Sequence, residues 1–359
     1  MRILIIDPQF EADPDVERAV AGPEADLVVW RTMERGFPPV SEFAACDALV
    51  NCRSRNAITR KTVAHMDRCR IVSQAGVGFN HIDIAACAER GIPVCNAPDY
   101  GTEEVADHAV TLAMCLVRGI VAYDAKLRTR SIGWDARAQK TVRRSRGMTF
   151  GILGMGRIGT AAAMRARAFG FAVAFHDPYL APGVEKSFGF TRAETLRDLM
   201  AMSDVLSVHT PLTPETSAII DTESLAQAKP DMLLVNTSRG GTMDLDAVEA
   251  ALRSRSLAGA ALDVLPQEPI DYQHPLMAAF EASEPWLDGR LIVTPHAAFY
   301  SPASVIDMRR IAVQNVVTYL RHGRLRSCVN ADLLRDGPAK DTAVSGFVAN
   351  YGPAPIPGG

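Results

Sequence analysis

Along this chain, short apolar runs alternate with longer stretches of helical pattern. The first third holds RILIID (2–7), DLVVW (26–30), ALVNC (48–52), RIVS (70–73) and PVCN (93–96). A second set follows: TFGILG (149–154), FAVAFHD (171–177), VLSVH (205–209), LLVN (233–236), AALDV (260–264) and LIVT (291–294). Apolar runs of this length read as buried strands, and a spacing of roughly 20–30 residues leaves room for a helix between successive strands. The alternation predicts parallel sheets made of strand–helix units, and two sets predict two α/β domains.

The stretch DYGTEEVADHAVTLAMCLVRG (99–119) has an N-cap-like Thr102 followed by a long apolar face, and it reads as a helix. Residues 302–322 read as another helix, and LRSCVN (325–330) as a strand rejoining the first domain. The first domain is therefore expected to be discontinuous, 1–99 with 298–335, around a second domain of residues 100–297. Residues 336–359, rich in Gly, Pro and Ala, are expected to be a flexible tail.

Composition narrows the class. A length of 359 residues suits two domains, and 48% hydrophobic with 22% charged residues is ordinary for a globular protein. A net charge of −3 gives no reason to expect nucleic acid or an anionic membrane as partner. The seven cysteines (46, 52, 69, 87, 95, 115, 328) are odd in number and contain no CxxC. That argues against a disulfide framework or a zinc site and suits a reducing cytoplasm. MRILIID is too short for a signal peptide, and AVTLAMCLV is about half a membrane span. The expectation is a soluble cytoplasmic protein without a metal. Residues 126–146 carry eight Lys/Arg against one Asp, which reads as a solvated face or a dimer arm, or else as a contact for an anionic substrate or cofactor phosphate.

Chemistry enters where the second set of strands ends. GILGMGRIG places Gly154, Gly156 and Gly159 between a strand and a helix beginning near Arg157. The first glycine permits a tight turn, the second lets the backbone approach a pyrophosphate, and the third lets helix and strand pack closely. Asp177 closes the next strand, where a carboxylate accepts from ribose hydroxyls and repels a 2′-phosphate, favouring NAD over NADP. RILIIDPQF in the first domain has no such glycines. The other strands end in His209-Thr210, Thr237-Ser238-Arg239, Asp263 and His296. In an open parallel sheet these ends face one crevice. A lone strand-end histidine is more often a core residue, but here it is one of several polar groups beside a dinucleotide fingerprint.

Imidazole is the side chain whose unperturbed pKa lies near neutrality, so His296 suits a general acid/base, with Glu268 orienting its ring and Arg239 gripping a substrate carboxylate. Asp263 is expected near a nicotinamide carboxamide. The set suits interconversion of a 2-keto acid and a 2-hydroxy acid. His209, in VHTPLTPE, reads as structural or cofactor-proximal. The remaining histidines and the 13 methionines read as surface or core residues.

Over roughly residues 45–330 the chain resembles the D-isomer-specific 2-hydroxyacid dehydrogenases, the group that includes 3-phosphoglycerate dehydrogenase and the C-terminal binding proteins. The resemblance rests on SQAGVGFNHIDIAACAERGIPVCNAP, GILGMGRIG, VHTPLTPET, LLVNTSRGG, ALDVLPQEP and TPHAAFYS. It implies a Rossmann cofactor domain inserted into a flavodoxin-like substrate-binding domain. The family's catalytic arginine, glutamate and histidine fall on Arg239, Glu268 and His296. Its cofactor contacts fall on Val77, Val105, Arg157, Ile158, Asp177, Thr210, Pro211, Thr216, Thr237, Ser238 and Asp263, besides the three glycines, with Arg239 and His296 bordering the cofactor. Substrate contacts fall on Arg53, on the backbone of Gly76, Val77 and Gly78, and on Phe299. A homodimer built on the cofactor domains is implied as well.

Two departures stand out. PHAAFYS replaces the commoner PHIGG or PHIAG and, with EEVADHA, is nearer to the C-terminal binding proteins, which have an aromatic residue at the position of Phe299. No regulatory domain is expected, and the lysine that the phosphite-oxidising branch places near Val77 is missing. Two functions result: an NAD-dependent D-2-hydroxyacid dehydrogenase, whose Phe299 favours an apolar tail, or an NADH-sensing dimeric scaffold of corepressor type.

Overall fold

A computed structural model describes residues 1–10 and 13–335. The tail expected over 336–359 lies outside them. The chain is α/β and its described residues form two compact units, one made of residues up to Tyr100 with 301–335, the other of Gly101–Tyr300.

The first unit carries a five-stranded parallel sheet of β1 (Arg2–Ile6), β2 (Asp26–Trp30), β3 (Ala48–Asn51), β4 (Val72–Gln74) and β5 (Val94–Cys95), in the order β2-β1-β3-β4-β5. Ile3, Leu4, Ile5 and Ile6 are all buried because both faces of the sheet are covered, which is why β1 reads as a continuous apolar run. Leu4, Ile6, Leu49, Val72 and Val94 pack with Phe43, Ile58, Met66 and Ile82 on one face. On the other, Ile3, Ile5, Val50 and Ile71 pack with Met308, Ala312, Val313 and Val316. These last four belong to the helix Pro302–His322, so the end of the chain completes a core begun by its first residues. That helix starts on a Ser301–Ser304 capping box with Pro302 in its first turn. Arg309 ties it to Asp15 and Glu17 at 2.6 and 2.7 Å.

The strand expected over 325–330 is not formed. It is reduced to a single antiparallel bridge, Cys95 with Cys328. β5 offers only two residues, and the Asn330 side chain replaces a longer ladder. Its Oδ1 accepts from Val94 N at 2.8 Å, and its Nδ2 donates to Ile84 O and Ile92 O at 3.2 and 3.1 Å.

The second unit carries a seven-stranded parallel sheet of β6 (Thr149–Leu153), β7 (Ala172–His176), β8 (Thr191–Arg192), β9 (Val205–Val208), β10 (Leu233–Asn236), β11 (Gly259–Leu262) and β12 (Leu291–Val293). Its order is β12-β11-β10-β9-β6-β7-β8, all parallel. β8 has no counterpart in the apolar runs, being a two-residue polar edge. β6 lies between β7 and β9, so the direction of winding reverses at its carboxyl end, where ligands bind in such sheets. The helix Thr102–Arg118 starts one residue past its N-cap, Gly101, with Thr102 inside the helix. Its Ala106, Val110, Ala113 and Val117 pack with Phe150, Ile152, Val235 and Ala261. Among the described residues no single helix is long and apolar enough to cross a membrane.

Candidate active site

β6 leads into the glycine turn. Gly154 has φ +90°, a conformation that L side chains rarely adopt, and a Cβ there would lie 2.9 Å from Thr210 Cγ2. A Cβ on Gly159 would come within 2.1 Å of Gly154 O, so helix and turn are in backbone contact there. Gly156 is different: a Cβ would meet nothing within 4 Å. It is the N-cap of the helix Arg157–Ala168, and open space in front of a 12-residue helix N-terminus, with its positive dipole end, suits a pyrophosphate. Arg157 is exposed and Ile158 half-buried beside it.

Asp177 follows β7 directly. Its Oδ2 accepts from Met155 N at 2.9 Å and its Oδ1 from Tyr179 N at 3.0 Å. The carboxylate thus braces the glycine turn while keeping acceptor capacity on both oxygens. Buried hydroxyls provide an independent test of fit to a dinucleotide. Among the described residues, Thr102, Thr210 and Thr237 have buried side-chain oxygens without a hydrogen-bond partner. Leaving such a group unsatisfied costs about 1–3 kcal/mol. Thr210 and Thr237 lie just beyond β9 and β10, where a cofactor spanning the sheet edge would meet them. Val105 is buried in the first turns of the helix Thr102–Arg118.

The loop after β9 divides its polar groups. His209 Nε2 lies 2.9 Å from Ser207 Oγ, and desolvation pushes the imidazole down to about 4, so it is neutral at pH 7. Thr216 Oγ1 donates to Pro211 O at 2.5 Å and accepts from Thr213 N at 2.8 Å, which commits it to holding its own loop. After β10, Ser238 donates to Asn236 Oδ1 through both N and Oγ, and Asn236 Nδ2 donates to Arg239 O at 3.1 Å. Arg239 Nη1 donates to Ser238 O at 2.6 Å.

Asp263, after β11, holds the end of β12. Its Oδ1 accepts from Thr294 Oγ1 at 2.5 Å and Ala297 N at 2.9 Å, and its Oδ2 from Ala298 N at 3.0 Å. Its backbone oxygen accepts from His296 N at 2.8 Å. These bonds keep His296 at φ +51°, an unusual conformation for a residue with a side chain. Sequence pattern suggested a cofactor contact at Asp263. In the structure the residue is 2% exposed and both of its carboxylate oxygens are engaged by the chain itself.

The loop held this way presents an imidazole to a carboxylate. His296 Nδ1 donates to Glu268 Oε2 at 2.7 Å, with each side chain 37% exposed. That bond leaves Nε2 as the ring nitrogen available for proton transfer. Burial pushes the Glu268 carboxyl upward. The His296 hydrogen bond and charge, the Leu265 amide and the Arg239 charge outweigh that, and the group is held below its ordinary value. The Phe299 ring stands edge-on to the imidazole, centroids 6.3 Å apart. Arg239, Glu268 and His296 are thus brought within one electrostatic neighbourhood.

In the first unit, Arg53 is exposed just past β3, and Gly76, Val77 and Gly78 follow β4, with Val77 exposed. Asn96 Nδ2 donates to Val77 O at 2.7 Å and steadies that loop. Asp7 Oδ2 accepts from Arg55 Nη2 and Asn56 Nδ2 at 2.9 and 3.1 Å and steadies the loop that carries Arg53. Among the described residues no group of three or more His, Cys, Asp or Glu could hold a metal ion.

Residues 110–298 match the D-isomer specific 2-hydroxyacid dehydrogenase, NAD binding domain. The chain belongs to this family. As a family member it carries an NAD-binding domain, which the glycine turn and the unsatisfied hydroxyls fit. It is 38% identical to D-3-phosphoglycerate dehydrogenase of Mycobacterium leprae over 250 residues, 70% of this chain and 44% of that protein. It is 31% identical to D-3-phosphoglycerate dehydrogenase of Methanocaldococcus jannaschii over 330 residues, 92% of this chain and 59% of that protein. The family member thus spans about half the length of these curated relatives. Its structure is similar to that of a D-lactate dehydrogenase from Aquifex aeolicus complexed with NAD and lactic acid. The TM-score is 0.75 at 25% identity, covering 89% of this chain and 95% of that one.

Sequence reasoning missed the bracing residues of this family member: Asn236, Asp7, Asn51, Gln74 and Asn96. Each is a polar residue at or just past the end of an apolar run and buried in the fold. A buried-strand run that closes on Asn, Gln or Asp is the signal that was there to read.

Proposed function

We propose that this chain is an NAD-dependent oxidoreductase interconverting a D-2-hydroxy acid and its 2-keto acid. The observation that carries the reading is the His296–Glu268 pair at 2.7 Å, at the same sheet edge as the glycine turn. Gly154, Gly156, Arg157, Ile158 and Gly159 would hold the pyrophosphate, Asp177 the adenosine ribose, and Thr210, Pro211, Thr237 and Ser238 the rest of the dinucleotide. When bound, NAD accepts or supplies the hydride.

The chain's own residues handle the proton and the substrate. In the reducing direction, His296 Nε2 gives a proton to the keto oxygen, and in the oxidising direction it takes the hydroxyl proton. Glu268 fixes the ring through Nδ1 and stabilises its protonated form. The Arg239 guanidinium binds the carboxylate and polarises the carbonyl. Phe299 bounds the space beside the imidazole. In the first unit, Arg53 and the backbone of Gly76, Val77 and Gly78 are the substrate-contact candidates. Exposed Ile120, Val121, Leu127 and Trp134, in and beside the basic segment, support a homodimer, which light scattering of the purified chain would test. The cytoplasm is its proposed location, which fractionation of cells would test.

NADH oxidation followed at 340 nm with a panel of 2-keto acids, beside His296→Ala, tests the reading. Reduction of one acid, lost about 10²–10⁴-fold in the variant, is the expected outcome. If NADH binds and no acid turns over above the variant's background, the NADH-sensing scaffold replaces it.

A further inference from the structure

The two sequence-distant parts of the first unit are pinned together beside β5 by two backbone hydrogen bonds. Val329 N donates to Val94 O at 2.8 Å and Asn96 N donates to Ser327 O at 3.2 Å. Between these bonds Cys95 and Cys328 face each other across the antiparallel bridge. In this register the paired residues are of the close, non-hydrogen-bonded kind, with Cα atoms about 4.5 Å apart and side chains on one face. A disulfide needs Cα atoms about 4.4–6.8 Å apart. The thiols are within hydrogen-bond reach of each other, and that contact holds the Cys328 thiol below its usual value. Cys95 is fully buried and Cys328 partly buried, its sulfur donating to Asn330 Oδ1 at 3.3 Å. Cys328 is thus the less buried member of the pair, with Cys95 facing it across the bridge.

We propose that Cys95 and Cys328 form a reversible disulfide that fastens β5 to the returning segment 325–330, with a low-molecular-weight disulfide such as oxidised glutathione as the oxidant. The Cys328 thiolate attacks one sulfur of the oxidant, whose S–S bond breaks and releases a small thiolate. The Cys95 thiol then gives up its proton and attacks the Cys328 sulfur, expelling the second small thiolate. Two protein thiols lose two electrons and two protons, and one small disulfide becomes two small thiols.

The chain contains a built-in comparison. Cys46 and Cys69 also lie within hydrogen-bond reach of each other. Both are buried, at 0% and 6% exposure, and their sulfurs donate to Phe43 O and Ile71 O. No partly exposed member starts an exchange there. The proposed bond has a distinctive topology as well. Residues 95 and 328 flank the whole of Gly101–Tyr300, so one covalent bond would close the chain around the inserted unit.

The test uses the full chain exposed to oxidised glutathione, or to dithiothreitol, then alkylated and digested. Expected is a linked Cys95–Cys328 peptide ~2 Da lighter than its two reduced parts, absent after dithiothreitol. The oxidised chain should unfold about 5–10 °C higher, because cross-linking a long loop restricts the unfolded state. In Cys328→Ser both effects disappear. A stable glutathione adduct on Cys328 alone, a Cys46–Cys69 link in its place, or full alkylation of Cys95 and Cys328 after oxidation would each overturn the proposal. The peptide map of the unmutated chain decides the matter even if Cys95→Ser fails to fold.

Discussion

The two sheets end differently at their carboxyl edges. In the first unit the polar residues there satisfy one another. Asn51, fully buried, donates to Gln74 Oε1 at 3.0 Å and to Arg53 O at 3.2 Å, and accepts from Asn56 Nδ2 at 3.4 Å. Asn56 in turn reaches Asp7, and His81 Nε2 lies 2.9 Å from Gln74 Oε1. In the second unit the same edge has hydroxyls of Thr210 and Thr237 with no partner, open space before Gly156, and His296 with one nitrogen committed and one not. One architecture thus yields a closed network in one place and unmet hydrogen-bonding capacity in the other. Unmet capacity in a buried setting is costly, and it marks where a ligand belongs.

Substitutions can break that contrast. The largest effect is expected at the open edge, where His296→Ala should lower turnover by about 10²–10⁴-fold with little change in NADH binding. At the closed edge, Asn51→Leu should lower the unfolding free energy by about 2–3 kcal/mol, read by urea titration, because it strands the partners of a buried amide. NADH affinity of the folded fraction should stay unchanged. If affinity falls as much as stability, the two edges are not separate in function.

A pH titration of stability sharpens the picture at His209, which lies at the open edge but reads as part of the scaffold. Its folded-state value is about 4 against 6.5 when unfolded. Between these values the unfolded chain binds the extra proton. Stability is therefore intact above pH 6.5 and falls as the pH drops toward 4, by ~3 kcal/mol in all at this one site. His209→Gln should flatten that part of the curve, and an unchanged slope would count against a buried neutral imidazole. The smallest effect is expected from Thr237→Val. Replacing an unsatisfied buried hydroxyl with a methyl should leave the unfolding free energy of the cofactor-free chain unchanged or raise it by up to about 1 kcal/mol. The same change should weaken NADH binding several-fold in a fluorescence titration. Loss of stability without loss of affinity would mean that the hydroxyl has a partner within the protein.

The fold was readable to the extent that burial on both faces writes a continuous apolar run. Every strand but one announces itself that way, and the helix over 302–322 has the bounds expected of it. β8 is polar and at an edge, so nothing in its composition separates it from a loop. LRSCVN looks like a strand because Leu325, Cys328 and Val329 give it a short apolar character. What holds the segment is the side chain of Asn330 and a single bridge, neither of which apolar character encodes. The candidate site was readable where a polar residue interrupts a run beside a glycine turn. Distances across the chain were not: His296 and Glu268 meet only because the loops after β11 and β12 converge. The grip of Asp263 on Thr294, Ala297 and Ala298 was likewise not legible, since a strand-end position says nothing of which donors the carboxylate will meet.

The helix Pro302–His322 has a consequence for how the protein is made. One face of the first sheet, with Ile3, Ile5, Val50 and Ile71, is only partly covered, by Val20 and Ala21 of the helix Asp15–Ala21, until Met308, Ala312, Val313 and Val316 have left the ribosome. About two hundred residues of the second unit are synthesised in between, which at typical elongation rates is a delay of roughly 10–40 s. For that interval the nascent chain carries an incompletely covered aliphatic sheet surface, the kind of surface that chaperones hold. The second unit, continuous in sequence, can fold while the first waits. A messenger truncated just before codon 302 would therefore yield a sound inserted domain attached to a sticky, unfinished one.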